Sequence, residues 1–131
     1  MKIIDRTIYV SGPISNGGKC TPEETIENVR AGEEIYGQLM TKGYSVFLPH
    51  LSYYPDKDWR ERGIKKYTFD HNIWLDVDRQ WVTKCKYFYY MLPDIYGESK
   101  GASLEFSWAN ALGKRIFTSM DEVPSRIAVT L

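Results

Sequence analysis

A run of apolar and aromatic residues from Lys86 to Leu92 constrains the fold of this chain more than any other segment, because only Lys86 in it is charged. A strand exposed on one face alternates polar and apolar residues, whereas a strand buried on both faces is apolar nearly throughout. This run therefore predicts a central strand of a parallel sheet with helices on both sides. Shorter β-branched or aromatic runs at 7–10, 44–48 and 114–118 predict three further strands.

Helix signals lie between the predicted strands. Thr21, Pro22 and Glu24 have the spacing of a capping box with proline in the first helical position, which predicts a helix start. Two more helices are predicted, one over about 70–84 and one over 99–113, where apolar residues recur at helical spacing. Strands that alternate with helices indicate a doubly wound α/β domain with a parallel sheet.

The chain length of 131 residues is that of one domain, here spanning residues 1–131. The C-terminal residues 127–131 are a candidate fifth strand or a docked tail, so the sheet is expected to have about five strands. No apolar periodicity is visible from 50 to 63, which predicts a long loop of aromatic and charged residues. Loops of that length in compact domains are usually functional or mobile.

Composition excludes several classes of protein. The 17 basic and 17 acidic side chains cancel, which is unlike the basic footprint of a protein that binds nucleic-acid polymers. The chain has no apolar run of membrane-spanning length and no signal-peptide pattern, so a cytoplasmic protein without membrane contact is expected. Cys20 and Cys85 lie far apart, and neither His50 nor His71 has a partner at metal-ligand spacing. We therefore expect no disulfide, no metal site and no cofactor.

Glu105 is the leading candidate for a functional residue. It lies in the third predicted helix, whose apolar positions include Leu104, Trp108 and Leu112, and it shares a face with Ala109 and Leu112. A carboxylate at the edge of a core face costs free energy unless a ligand or a reaction uses it. The alternative is a solvated helix glutamate, and periodicity alone does not decide which face is buried.

Three loops are expected to meet at one edge of the sheet, because ligands of doubly wound sheets bind outside the carboxyl ends of the strands. These loops begin near Gly12, His50 and Ser99. Gly12 lets the backbone approach a ligand closely, and the amides near Ser99 and Gly101 start a helix, where anions bind well. Ordinary strand-to-helix connections and a capping role for Ser99 are the alternatives. The candidate substrate-binding residues are Gly12, Pro13, Ile14, Ser15, Asn16, Ser99 and Gly101.

Asp78 is a candidate proton donor or acceptor in the second predicted helix. The apolar residues at helical spacing in this helix are Ile73, Trp74, Val77 and Trp81. Asp78 follows Trp74 by four positions and precedes Trp81 by three, and an aspartate between two tryptophans is expected to have a raised pKa. An ion pair with Arg79 or a nearby lysine, or a solvated position, is the alternative.

Three segments together resemble the nucleoside 2-deoxyribosyltransferase superfamily, which includes the 2'-deoxynucleoside 5'-phosphate N-hydrolases. They are residues 8–14 (IYVSGPI), 78–85 (DRQWVTKC) and 99–105 (SKGASLE), and the resemblance spans about 7 to 118. It implies a flavodoxin-like, Rossmann-like three-layer sandwich that assembles as a homodimer or a higher homo-oligomer. It also implies chemistry at the N-glycosidic bond of a small-molecule nucleoside or nucleotide.

The resemblance also implies roles for individual residues. Glu105 matches the nucleophilic glutamate of the family, and Asp78 matches an aspartate that assists proton transfer near the base. Tyr9 matches a tyrosine of the first strand near the nucleophile. Ser99 and Gly101 match the part of the loop that holds the 5' end of the sugar.

Two features of the chain depart from the phosphate-binding relatives. Those relatives carry an arginine in the first loop, where this chain has Ser15 and Asn16, with Lys19 nearby as a flexible point charge. The serine that a partner subunit supplies in the hydrolases has Ser125 as its nearest counterpart. Nucleoside and 5'-monophosphate therefore both stay open as substrates.

The leading hypothesis is an enzyme that cleaves or transfers at the N-glycosidic bond of a nucleoside or deoxynucleoside, or of its 5'-monophosphate, through a glutamate nucleophile. A second hypothesis is a nucleotide-binding module of the same fold without turnover. A third is a structural oligomerisation domain, whose sign would be a Glu105 that faces solvent and no pocket at the Gly12 edge.

Overall fold

A computed structural model of the chain describes residues 3–91 and 100–126. In this part four parallel strands form one sheet in the order β2-β1-β3-β4. The strands are β1 (Thr7–Ser11), β2 (Ser45–Phe47), β3 (Tyr87–Tyr90) and β4 (Arg115–Phe117). The aromatic strand β3 lies between β1 and β4, as predicted. The proposed fifth strand at 127–131 lies outside the described residues, so the observed sheet has four strands rather than about five.

The helices that connect the strands are α1 (Pro22–Thr41), α2 (Tyr53–Glu61), α3 (His71–Lys84) and α4 (Lys100–Ala111). Short 3-10 turns occur at Pro49–Ser52, Lys65–Tyr67 and Met120–Glu122. The prediction of a doubly wound α/β domain with a flavodoxin-like, three-layer architecture is confirmed.

The two faces of the sheet carry separate cores because side chains alternate along each strand. Ile8 and Val10 of β1 point to one face and pack with Leu39 of α1. The intervening Tyr9 points to the other face, where it packs with Val82 of α3 and Ala109 of α4. Thus α1 covers one face and the pair α3 and α4 covers the other.

Helix α1 begins where the capping box predicts. The Thr21 hydroxyl accepts a hydrogen bond from the Glu24 amide at 3.1 Å, and the Glu24 carboxylate accepts one from the Thr21 amide at 2.7 Å. Both bonds satisfy amides that have no partner within the helix. In the described part of the chain, no helix combines the length and the apolar character that a membrane span needs.

The predicted loop from 50 to 63 is wrong, because most of it is helix α2. Charge pairs four residues apart, which apolar periodicity does not reveal, lie along this helix and stabilise it weakly. These pairs are Lys57–Glu61, Arg60–Asp56 and Arg62–Asp58. The Trp59 ring also packs against Phe69, so the segment is anchored to the residues before α3.

The inward faces of α3 and α4 also differ from the expected ones. Leu104 of α4 and Leu112 immediately after it are 40% and 50% exposed, whereas Ala102, Glu105 and Ala109 are buried. Small side chains let a helix approach a sheet closely, so alanines rather than leucines face the core here. In α3 the buried residue is Val82, and the exposed apolar residues are Ile73, Val77 and Trp81.

Candidate active site

A cavity of about 260 Å³ opens over the carboxyl ends of β1 and β2. The loop after β1, the turn after β2, and helices α2, α3 and α4 all contribute to its walls. The first two predicted loops therefore meet at one edge of the sheet. The lining residues are Gly12, Ile14, Ser15, Asn16, Gly17, Thr25, Pro49, Ser52, Tyr53, Asp56, His71, Trp74, Leu75, Asp78, Gly101, Ala102 and Glu105.

Glu105 lines this cavity from the inward face of α4 and is only 6% exposed. The hydroxyl of Ser11 donates a hydrogen bond of 2.7 Å to its Oε1 atom. Ser11 is the last residue of β1 and is itself fully buried, so it holds the carboxyl group from below. The buried position of Glu105 contradicts the interpretation as a solvated glutamate, and the described residues do not show the sign expected of a purely structural domain.

Asp78 of α3 lies beside Glu105, and the two carboxyl groups interact through a hydrogen bond and through charge. Burial raises the pKa of Asp78 to about 6, and the raised pKa predicted from its tryptophan neighbours is confirmed. Burial also raises the pKa of Glu105 well above its usual value, and the charge of Asp78 raises it further. Two adjacent carboxylates repel each other, so the pair retains one proton close to neutral pH.

Arg79 does not neutralise this pair. Its guanidinium lies over the ring of Trp108, 5.5 Å from the centroid, where it makes a cation–π contact. The alternative of an ion pair between Arg79 and Asp78 is therefore wrong. His71 lines the same cavity seven residues earlier in α3, and its electrostatic interaction with Asp78 lowers the pKa of that carboxyl group.

Tyr9 is fully buried beneath the two carboxyl groups. Burial, followed by the charges of Glu105 and Asp78, raises the pKa of its phenol well above 10, so the hydroxyl keeps its proton. Although it interacts with both carboxyl groups, the hydroxyl has no partner at standard hydrogen-bond geometry among the described residues. It is a buried donor directed at the site of the carboxyl pair.

Two side chains fix the loop after β1. The Asn28 amide of α1 donates to the Ile14 carbonyl at 2.8 Å, and the His50 ring donates from Nε2 to the Pro13 carbonyl at 3.0 Å. Burial lowers the pKa of His50 to about 4, so the imidazole is neutral and serves as a fixed donor. The loop is therefore held from both neighbouring elements.

Packing requires a glycine at position 12. A Cβ atom added there would lie 2.9 Å from the Cβ atom of Met91 and 2.6 Å from its sulfur atom. The Met91 amide donates to the Ser11 carbonyl at 2.8 Å and so brings these segments together. The glycine thus allows the ends of β1 and β3 to approach each other below the cavity.

Most of the residues proposed from the sequence lie together. The catalytic candidates Glu105 and Asp78 line the cavity, and Tyr9 lies beneath them. The lining also contains most of the candidate substrate-binding residues, namely Gly12, Ile14, Ser15, Asn16 and Gly101. Pro13 is buried behind the lining and contributes its carbonyl to the loop anchor. Ser99 lies outside the described residues.

Sequence reasoning missed several residues of the site. Ser11 immediately precedes Gly12 at the end of a predicted strand, which is a usual position for a ligand-binding residue, so its placement was a usable signal. His71 was set aside because it lacks a metal-ligand partner, yet it lines the cavity. Tyr53 and Asp56 enter the wall only because α2 forms where a loop was expected.

No group of three or more His, Cys, Asp and Glu residues suited to a metal ion occurs among residues 3–91 and 100–126. No protein-family model matches the chain, and a search of curated proteins found no significant match.

Proposed function

We propose that this chain cleaves or transfers at the N-glycosidic bond of a nucleoside, with Glu105 as the nucleophile. The observation that carries the proposal is the buried Glu105–Asp78 pair in a cavity at the carboxyl ends of the strands. A buried carboxyl pair is costly to fold, and such strained arrangements are typical of active sites. The resemblance of the segment 99–105 to the nucleophile segment of the deoxyribosyltransferase superfamily supports the same assignment.

The chemistry requires two carboxyl groups in different protonation states. Departure of the base leaves positive charge on the anomeric carbon, and an ionised Glu105 stabilises this charge and forms a covalent bond to that carbon. The base leaves more easily when it accepts a proton or a hydrogen bond, which a protonated Asp78 supplies. The pair supplies both forms when its one proton moves from Glu105, whose pKa burial raises well above its usual value, to Asp78 as the nucleoside binds.

The surrounding groups orient Glu105 rather than react. The hydrogen bond from Ser11 fixes Oε1 and favours the ionised form of the carboxyl group. The protonated hydroxyl of Tyr9 is a second donor below the pair. Water completes hydrolysis of the glycosyl intermediate, and a second base completes transfer instead, since both attack the same anomeric carbon.

The charges around the cavity favour a nucleoside over its 5'-monophosphate. Three carboxyl side chains line the cavity, those of Asp56, Asp78 and Glu105. Among the side chains that the structure describes, no lysine or arginine lines it, and Lys19 is exposed outside it. A phosphate dianion is therefore opposed by the described lining, although the helix dipole at Gly101 attracts anions weakly.

The proposed nucleophile is tested with the Glu105→Gln variant, which keeps the shape of the side chain but removes its charge. We expect release of free base from a panel of nucleosides and 5'-monophosphates, measured chromatographically with and without an acceptor base, to fall by at least about a thousandfold. Glu34→Gln changes an exposed glutamate of α1 and should leave the rate unaltered.

Two results would contradict the proposal. Unchanged base release by the Glu105→Gln variant would remove the nucleophile assignment. Tight calorimetric binding of a nucleoside by the unmodified protein, without base release over hours, would instead favour the binding module without turnover.

A further inference from the structure

Asp56 is a charged side chain of the cavity wall that the proposed reaction does not use. It lies in the first turn of α2, is half-buried, and lines the cavity together with Ser52 and Tyr53. Its position follows from the unexpected helix α2, which follows strand β2.

Arg60 and Phe69 hold the Asp56 carboxylate in place. The Nε atom of Arg60 lies 3.2 Å and 3.1 Å from the two carboxylate oxygens of Asp56. The Nη2 atom of Arg60 donates to the Phe69 carbonyl at 3.1 Å, which fixes the guanidinium in turn. Each carboxylate oxygen can accept about two hydrogen bonds, so Asp56 retains acceptor capacity toward the cavity.

The topology separates Asp56 from the reacting groups. Strand β3 leads to α4 with Glu105, strand β2 leads to α2 with Asp56, and these two strands flank β1 on opposite sides. The cavity therefore extends across the end of β1, from Glu105 on one side to Asp56 on the other. A nucleoside whose anomeric carbon contacts Glu105, with its sugar against the start of α4, extends its base toward β2.

We propose that Asp56 determines base specificity by accepting a hydrogen bond from an exocyclic amino group. This inference rests on the proposed function, and it names the substrate class as nucleosides of cytosine, guanine or adenine. A carboxylate accepts hydrogen bonds from such amino groups, as it does from the cytosine amino group in nucleic-acid recognition. A carbonyl oxygen at the same position would instead be repelled, because both it and the carboxylate carry negative charge.

The experiment compares pairs of substrates that differ in one amino group. Deoxycytidine is compared with deoxyuridine, and deoxyguanosine with deoxyinosine, by kcat/KM for base release. A single hydrogen bond to a charged acceptor predicts that the unmodified protein prefers the amino-bearing member of each pair by about tenfold. The Asp56→Asn variant should lose or reverse the preference for deoxycytidine over deoxyuridine, because an amide also donates to carbonyl oxygens.

Asp58→Asn is the matched control. Asp58 lies two residues later in α2 and forms the same type of pair, with Arg62 at 3.1 Å, but it is exposed and does not line the cavity. The same substitution there should leave both substrate ratios unchanged. A loss of preference in both variants would mean that helix stability rather than recognition is responsible, and would overturn the proposal.

The failure of this inference and the failure of the proposed function are distinguishable. Base release with equal ratios in the unmodified protein and in Asp56→Asn would overturn the role of Asp56 and leave the role of Glu105 intact. If no substrate is turned over, the proposed function fails, and calorimetry with the same nucleosides then tests Asp56 alone. Equal affinities for deoxycytidine and deoxyuridine would overturn the inference, and an amino preference that Asp56→Asn removes would support it.

Discussion

Replacing Asp78 by asparagine should make the protein more stable at neutral pH. The half-buried carboxyl group of Asp78 lies beside Glu105, and the cost of its ionisation in the folded state is absent for an amide of the same shape. Residues that carry out chemistry are often held at the expense of stability, so removal of one member of the pair is expected to stabilise the fold.

The raised pKa gives the magnitude. Burial raises the pKa of Asp78 from its ordinary value of 3.8 to about 6. Because each tenfold change in proton affinity is about 1.4 kcal/mol, ionised Asp78 destabilises the folded state by on the order of 3 kcal/mol. The folded protein holds the proton more tightly than the unfolded chain, so this cost is absent below the unfolded pKa. It grows as the pH rises and is complete above the folded pKa.

Urea unfolding of the unmodified protein and of the Asp78→Asn variant measures the effect. The free energy of unfolding of the variant, minus that of the unmodified protein, should increase by on the order of 3 kcal/mol between about pH 3.5 and about pH 8. Asp76→Asn, an exposed aspartate of the same helix, should show no comparable pH-dependent gain. A stability difference that is the same at both pH values would refute the argument that burial raises the pKa of Asp78.

Two further predictions concern the support of the site. Ser11→Ala removes the hydrogen bond that lowers the pKa of Glu105, so the acid limb of the pH–rate profile should move upward by about one pH unit; an unmoved limb would exclude a role for Ser11 in the ionisation of Glu105. Gly32→Ala would place a Cβ atom 2.7 Å from the ring of His50 and should lower the free energy of unfolding by about 1–3 kcal/mol in urea. Gly37→Ala in the same helix meets nothing within 4 Å and should raise it by up to about 1 kcal/mol, and equal effects of the two substitutions would contradict the steric argument.

Local signals predicted the parts of the fold that local interactions build. The start of α1 followed from its capping box, because both hydrogen bonds of that motif lie within four residues. The central strand followed from its uninterrupted apolar run, since only a strand covered on both faces reads that way. The raised pKa of Asp78 followed from its tryptophan neighbours, although burial in the assembled fold supplies the effect.

Tertiary packing decided the parts that the sequence did not predict. Helix α2 carries side-chain charge pairs, and its Trp59 packs against Phe69. Neither feature produces apolar periodicity, so the sequence pattern indicated a loop. The inward face of α4 is formed by alanines and Glu105, because the helix lies close to the sheet, and the leucines are left outside. The contact between Ser11 and Glu105 joins residues 94 positions apart, and no local pattern reports such a distance.

The segment from 51 to 69 contains α2 and contributes no strand to the sheet, whereas the paired acids and their supports belong to β1, α3 and α4. The proposed determinant of base specificity and the proposed reacting groups therefore lie in different segments of the chain. A library of variants confined to residues 51–69 would therefore change the preferred base without changing the reacting groups. Substitutions in the same segment would have the same effect during evolution.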